Sequence, residues 1–114
     1  MVYVFLADGF EEIEALTPID ILRRAGVSVT SVGVTGKTVT GSHGISVEAD
    51  ITESEAADAL SRADIEAVVL PGGMPGADNL NASSVVEKYI SAAKDCGAFI
   101  AAICAAPYIL GIRG

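Results

Sequence analysis

The sequence predicts an α/β fold, a doubly wound and mostly parallel sheet with helices on both faces. Three observations carry this. Short apolar runs rich in β-branched residues recur along the chain, they alternate with segments of helical period, and the runs are apolar on both faces instead of alternating, as strands of a covered parallel sheet are. With 114 residues, 51% of them hydrophobic and 19% charged, the chain is expected to form one domain, residues 1–114, with a sizeable core.

The first run, Val2 to Ala7, reads as a buried strand. After Gly9 the period changes: Ile13, Leu16, Ile19 and Leu22 form a helical stripe closed by Arg23, Arg24 and Gly26, with Pro18 expected to kink or divide the helix. Val27 to Gly33 reads as the second strand of a βαβ unit. Lys37 to Glu48, weakly alternating around Gly41-Ser42-His43-Gly44, reads as a small β-hairpin. A short helix over residues 53–61 leads to a third core strand, Glu66 to Leu70, ending in Pro71-Gly72-Gly73. Ser83 is a good N-cap for a helix with Val86, Tyr89, Ile90 and Ala93 on one face and a stop near Gly97. Ala98 to Ile103 is the last strand, and it delivers Cys104 into a small-residue helix start.

The formal charge of −8 and the seven basic residues disfavour nucleic acid and anionic membrane as partners, leaving a small molecule or another protein. No apolar run approaches the roughly 18 residues of a membrane-spanning helix. The chain opens directly on strand-like sequence, and its two cysteines, Cys96 and Cys104, have no CxxC spacing, so a reducing cytoplasm is the expected location.

In a doubly wound sheet, ligands bind outside the carboxyl ends of the strands. Three loops there carry unusual residues: 8–14, 71–76 and 104–107. Cysteine at the end of a buried strand is often a small core hydrophobe. At Cys104 the small residues that follow and the opening of a helix shift the balance towards a thiol that ionises readily and acts as a nucleophile. Cys96 lacks such neighbours. Glu11 and Glu12 are accounted for by the helix macrodipole. Glu14 falls on another face, beside the stripe, where a partly buried carboxyl is expected to be neutral and able to hydrogen-bond a thiolate or exchange a proton. Pro71-Gly72-Gly73 is either a plain turn or a place where a glycine N–H, with that of Ala105, stabilises an oxyanion. Gly76 reads as helix-initiating, and no phosphate-loop pattern is present. His43, the only histidine, reads as a solvated loop residue.

Ala7-Asp8-Gly9-Phe10-Glu11-Glu12-Ile13-Glu14, Arg23-Arg24-Ala25-Gly26, Leu70-Pro71-Gly72-Gly73 and Ala101-Ala102-Ile103-Cys104-Ala105-Ala106-Pro107 together resemble the DJ-1 branch of the ThiJ/PfpI superfamily, in order and over almost the whole chain. The resemblance implies a flavodoxin-like sheet and a homodimer. It implies Cys104 as the reactive, oxidation-sensitive nucleophile, Glu14 as the carboxyl beside it, and Gly73 with Ala105 as oxyanion donors. Gly72, Asp20 and His43 would line the site, His43 by reaching towards a second copy. Family members are longer and supply a histidine shortly beyond the cysteine, so the chain as given is expected to be C-terminally incomplete.

Two activities follow as expectations. One is cofactor-independent conversion of small reactive aldehydes, of the glyoxalase or deglycase kind, needing neither metal nor nucleotide. The other is a non-catalytic redox sensor or chaperone-like protein that works through oxidation of Cys104. A cysteine peptidase is a weaker reading, because no histidine adjoins the thiol in sequence.

Overall fold

The computed structural model describes residues 1–113. In chain order its elements are β1 (Val2–Leu6), α1 (Glu12–Arg24), β2 (Val29–Gly33), β3 (Thr38–Thr40), β4 (Ser46–Glu48), β5 (Ile51–Thr52), α2 (Glu53–Ala59), β6 (Ala67–Leu70), α3 (Gly76–Asn81), α4 (Ser84–Cys96), β7 (Phe99–Ala102) and α5 (Pro107–Ile112). A single 3₁₀ turn, Leu60–Arg62, follows α2.

Because its side chains are apolar on both faces, β1 can lie at the centre, and all five of its residues are buried. The order is β5-β2-β1-β6-β7, and every pairing within this sheet is parallel. Val2 pairs with Val29 on one side and Ala67 on the other, while Leu70 pairs with Ala102. The expected hairpin is present as the antiparallel pair β3 and β4, Thr40 opposite Ser46. The two-residue strand β5 is too short to show any period in the sequence.

Each face of the sheet has its own core. On one, Val2, Val4, Leu6 and Val29 pack under α1 through Ala15 and Ile19, with Phe10 and Val39 closing the end. On the other, Tyr3, Phe5, Val68 and Leu70 pack beneath Val86, Tyr89, Ile90 and Ala93 of α4, with α2, α3 and α5 beside it. The Tyr89 ring lies 4.9 Å from that of Tyr3 and 5.2 Å from that of Phe5, and its hydroxyl donates to the Ala56 carbonyl at 2.7 Å. Burial is the main reason its phenol is pushed up to about 12.

One expectation for α1 needs correction, and another is narrowed. Ile13 is 74% exposed and stands outside the buried stripe, because the first turn directs Glu12 inward instead. Pro18 does not divide the helix, which runs unbroken from Glu12 to Arg24, held to the sheet by the packing of Ala15 and Ile19.

Candidate active site at the Cys104 turn

The chain leaves β1 towards β2 and β5 and returns through α2 to β6, on the opposite side of β1. The loops after β1 and β6 therefore diverge and open a crevice at the carboxyl ends of the strands. β7 lies next to β6, so the turn after it opens onto the same edge.

Cys104 occupies that turn. The Ile103 N–H still donates to the Leu70 carbonyl at 3.3 Å, and the Ala106 N–H closes the turn onto the Ile103 carbonyl at 3.0 Å. Between them Cys104 takes φ 59°, the one non-glycine residue with positive φ among the described residues. That conformation costs an L-residue of the order of 1–3 kcal/mol and leaves the thiol exposed. The cysteine does not open the helix directly. Pro107, at N1, sets the start of α5, so a short turn separates Cys104 from it.

Glu14 reaches the turn from α1. It is half-buried, and its Oε1 accepts the Gly72 N–H at 3.0 Å, a bond spanning 58 positions of sequence. Glu14 and Cys104 meet at Gly72, where a Cβ would lie 2.5 Å from Glu14 Oε1 and 2.9 Å from Cys104 Cβ. Only glycine fits between them. Gly73 follows at φ 94°. Among the described residues, neither its N–H nor that of Ala105 has an acceptor within the chain. A cavity of about 250 Å³, lined by Glu14, Pro18, Val69 and Ile103 among others, adjoins the turn. Two larger spaces, about 570 Å³ each, lie against α4 and α5 and beside the start of β7, away from both Cys104 and Glu14.

The structure brings Cys104, Glu14, Gly72 and Gly73 to one edge with Ala105. It places Asp20 elsewhere: that carboxylate accepts both of its hydrogen bonds from Arg24 Nε at 3.0 Å, on the exposed side of α1. The resemblance predicts Asp20 in the site lining, whereas within this chain it makes a surface ion pair. Cys96 lies at the end of α4, its thiol directed to the Ala93 carbonyl at 3.5 Å.

His43 has a partner that sequence reasoning missed. Its Nδ1 is 2.9 Å from Glu12 Oε1 and its N–H donates to Glu12 Oε2 at 2.8 Å. Burial raises the Glu12 pKa, but the His43 ring and the backbone N–H groups outweigh it and hold the carboxyl down at about 2. The same bond, with the charges of Glu11 and Glu12, raises His43 above its ordinary 6.5. Ligand atoms of Glu11, Glu12 and His43 lie within 4.8 Å of one another, as a metal site would require. Hydrogen bonds already engage both Glu12 oxygens and His43 Nδ1, so the grouping is satisfied without an ion.

The fold and a strained cysteine turn beside a glutamate define a class, and sequence comparison agrees. The model of the DJ-1/PfpI family matches residues 1–114, and the chain belongs to that family. It is 39% identical over 112 residues to the Parkinson disease protein 7 homolog of Danio rerio and 38% identical to protein dj-1beta of Drosophila melanogaster, each match covering 97% of this chain and 58% of the relative. The chain thus spans less than three fifths of the length of these curated relatives. Among solved structures it is similar to oxidized Toxoplasma gondii DJ-1, with TM-score 0.91 and 37% identity over 99% of this chain and 60% of that one. It is similar also to a cysteine-to-alanine mutant of a DJ-1 superfamily protein from Salmonella typhimurium, with TM-score 0.89 and 39% identity over the same shares. Among the described residues no helix is long and apolar enough to cross a membrane.

Proposed function

We propose that the chain carries a cysteine-dependent, cofactor-independent activity on small reactive aldehydes, with Cys104 as nucleophile and Glu14 as proton carrier. The observation that supports it most is the packing of Glu14 Oε1 and Cys104 Cβ around one glycine, with Cys104 at φ 59°. In this reading the Cys104 thiolate adds to the aldehyde carbon of methylglyoxal, forming a C–S bond and an alkoxide. The N–H groups of Gly73 and Ala105, which have no acceptor in the chain among the described residues, are the donors for that oxyanion. Glu14 spends Oε1 on Gly72, and its other oxygen handles the proton that moves from the aldehyde carbon to the neighbouring carbonyl carbon. The result is a thioester at Cys104, and water releases it as lactate. Substrate is oxidised at one carbon and reduced at the next, so no external redox partner is required.

The test is lactate formation from methylglyoxal by the wild type, Cys104→Ala and Glu14→Gln. Turnover lost in both variants supports the mechanism, and full activity in either removes it.

A redox-sensing role is the second reading, favoured by the exposed Cys104 thiol and by the likeness to a relative solved in oxidized form. Mild peroxide should then add oxygen to Cys104 before Cys96, as read by mass spectrometry. Equal labelling of the two cysteines removes this reading.

A homodimer and a reducing cytoplasm complete the proposal. Ile13 and Ile45, 74% and 53% exposed, flank one another beside His43 and offer an apolar contact for a second copy. Both cysteines are free, as a reducing compartment keeps them. Sedimentation should show Ile13→Asp as a monomer where the wild type is a dimer.

A further inference from the structure

The β3–β4 turn is stitched along the loop between β1 and α1. Gly9 donates to the Thr40 carbonyl at 2.8 Å, Ser42 donates to the Phe10 carbonyl at 2.8 Å, and the Thr40 N–H reaches Asp8 Oδ1 at 3.0 Å. Glu12 is at the centre of this seam. It is only 4% exposed, and its Oε2 accepts the N–H groups of both His43, at 2.8 Å, and Ile45, at 3.2 Å, while Oε1 faces His43 Nδ1. The turn is wrapped so closely that a methyl group at Gly41 would collide with the Glu12 carboxyl. A carboxylate removed from water needs such donors, and the turn supplies the His43 ring and the backbone N–H groups of His43 and Ile45. The proposed aldehyde chemistry uses none of these contacts.

We propose that Glu12 is a positioning residue whose buried carboxylate latches the β3–β4 turn onto the loop leading to Glu14, and that the charge of His43 sets how firmly the latch holds. The effect reaches the Cys104 edge through the next residue back, since the Glu11 N–H donates to the Gly72 carbonyl at 2.9 Å.

The charges around the latch all favour an imidazolium. From α1, His43 faces Glu12 and, from the N-cap residue just before that helix, Glu11 Oε2 at 3.8 Å. From the β1–α1 loop, Asp8 lies across the seam on Thr40. From its own hairpin it meets only the neutral Ser42 hydroxyl, at 3.3 Å. Lys37 and Glu48 belong to the far end of the hairpin, where Thr38 pairs with Glu48 and Lys37 Nζ reaches the Asp50 carbonyl. Loss of the His43 proton leaves a neutral ring that can still donate one hydrogen bond, so the turn loosens without detaching.

The experiment is amide hydrogen exchange at Ser42, His43 and Ile45, with the His43 ring titrated by NMR, in the wild type, Glu12→Gln and His43→Ala. We expect wild-type protection factors at His43 and Ile45 to fall severalfold as the ring deprotonates, at a pH above 6.5. In Glu12→Gln the ring should titrate closer to 6.5, with protection low throughout. His43→Ala keeps both backbone donors and should show weakened, pH-independent protection, and it serves as the second variant should Glu12→Gln not fold. A wild-type ring titrating at its ordinary value, or wild-type protection unchanged across its titration, overturns the latch. Exchange reads no chemistry at Cys104, so the lactate assay fails or succeeds independently of it.

Discussion

Cys104 sits where an L-residue is strained and glycine is not, so the turn is held against its own preference by the Ile103 to Leu70 bond on one side and Pro107 on the other. Removing the thiol and removing the strain are therefore separable. Cys104→Gly should be more stable than Cys104→Ala by about 1 kcal/mol, since both lack the sulfur and only alanine keeps the clash. Urea unfolding of the pair checks this, and equal midpoints would mean that the turn is relaxed. Gly72 gives the complementary case. Gly72→Ala sets a methyl against Glu14 Oε1 and Cys104 Cβ, so it should cost about 1–3 kcal/mol and slow Cys104 alkylation by iodoacetamide. The Glu12 and His43 pair also gives a pH window for stability. Glu12 is depressed from 4.5 to about 2, so its contribution is fully present above 4.5 and is lost as pH falls towards 2. His43 is raised above 6.5, so its contribution is fully present below 6.5 and is lost as pH rises through the higher folded value. Together they should hold the hairpin best between about 4.5 and 6.5, and the melting temperature of His43→Ala should approach that of the wild type only once the pH exceeds the raised folded value of His43.

Elements with a local signal were legible. Ser83 is the N-cap of α4, its Oγ accepting the Val86 N–H at 3.2 Å, and Val86, Tyr89, Ile90 and Ala93 are all buried, as their spacing predicts. The same hydroxyl donates to Glu53 Oε2 at 2.6 Å, joining the start of α2 to the start of α4. Ser83→Ala should therefore cost more than a bare cap, about 1–2 kcal/mol, and a double-mutant cycle with Glu53→Ala should return a coupling of about 0.5 kcal/mol or more. A coupling near zero would make the Ser83 to Glu53 bond incidental. What the sequence hid had no local signal. β5 is two residues long, and the direction of Ile13 depends on which side of the first helical turn the hairpin covers. Glu12 and His43 are 31 positions apart, and nothing between them marks a buried carboxylate except the glycine that the turn needs at 41. Cys104 and Glu14 could be picked out singly, from the strand end and the helix face. Their meeting at Gly72 depends on the reversal of strand order at β1, which no single segment records.

At the scale of the molecule the two faces of the sheet are unequally covered. α2, α3, α4 and α5 share one face, whereas α1 alone covers the other, over β1 and β2. Beyond it Ala67 and Val69 of β6 are half-buried, Ala101 is exposed, and Phe99 and Ile103 are 82% and 50% exposed. A contiguous apolar patch on an edge strand favours self-association. The net charge of −8 opposes it through repulsion that 0.1 M salt screens beyond about 10 Å. Phe99→Lys sets the two effects against each other. It removes the largest exposed apolar side chain of the patch and puts lysine on the edge strand, yet it lowers the net charge from −8 to −7 and so weakens the repulsion. Because Phe99 makes few contacts, the change should alter stability by no more than about 0.5 kcal/mol. If the patch governs association, light scattering in high salt should show slower particle growth for Phe99→Lys than for the wild type. Equal or faster growth in high salt, where the repulsion is screened, would mean that the exposed face of β7 does not govern association.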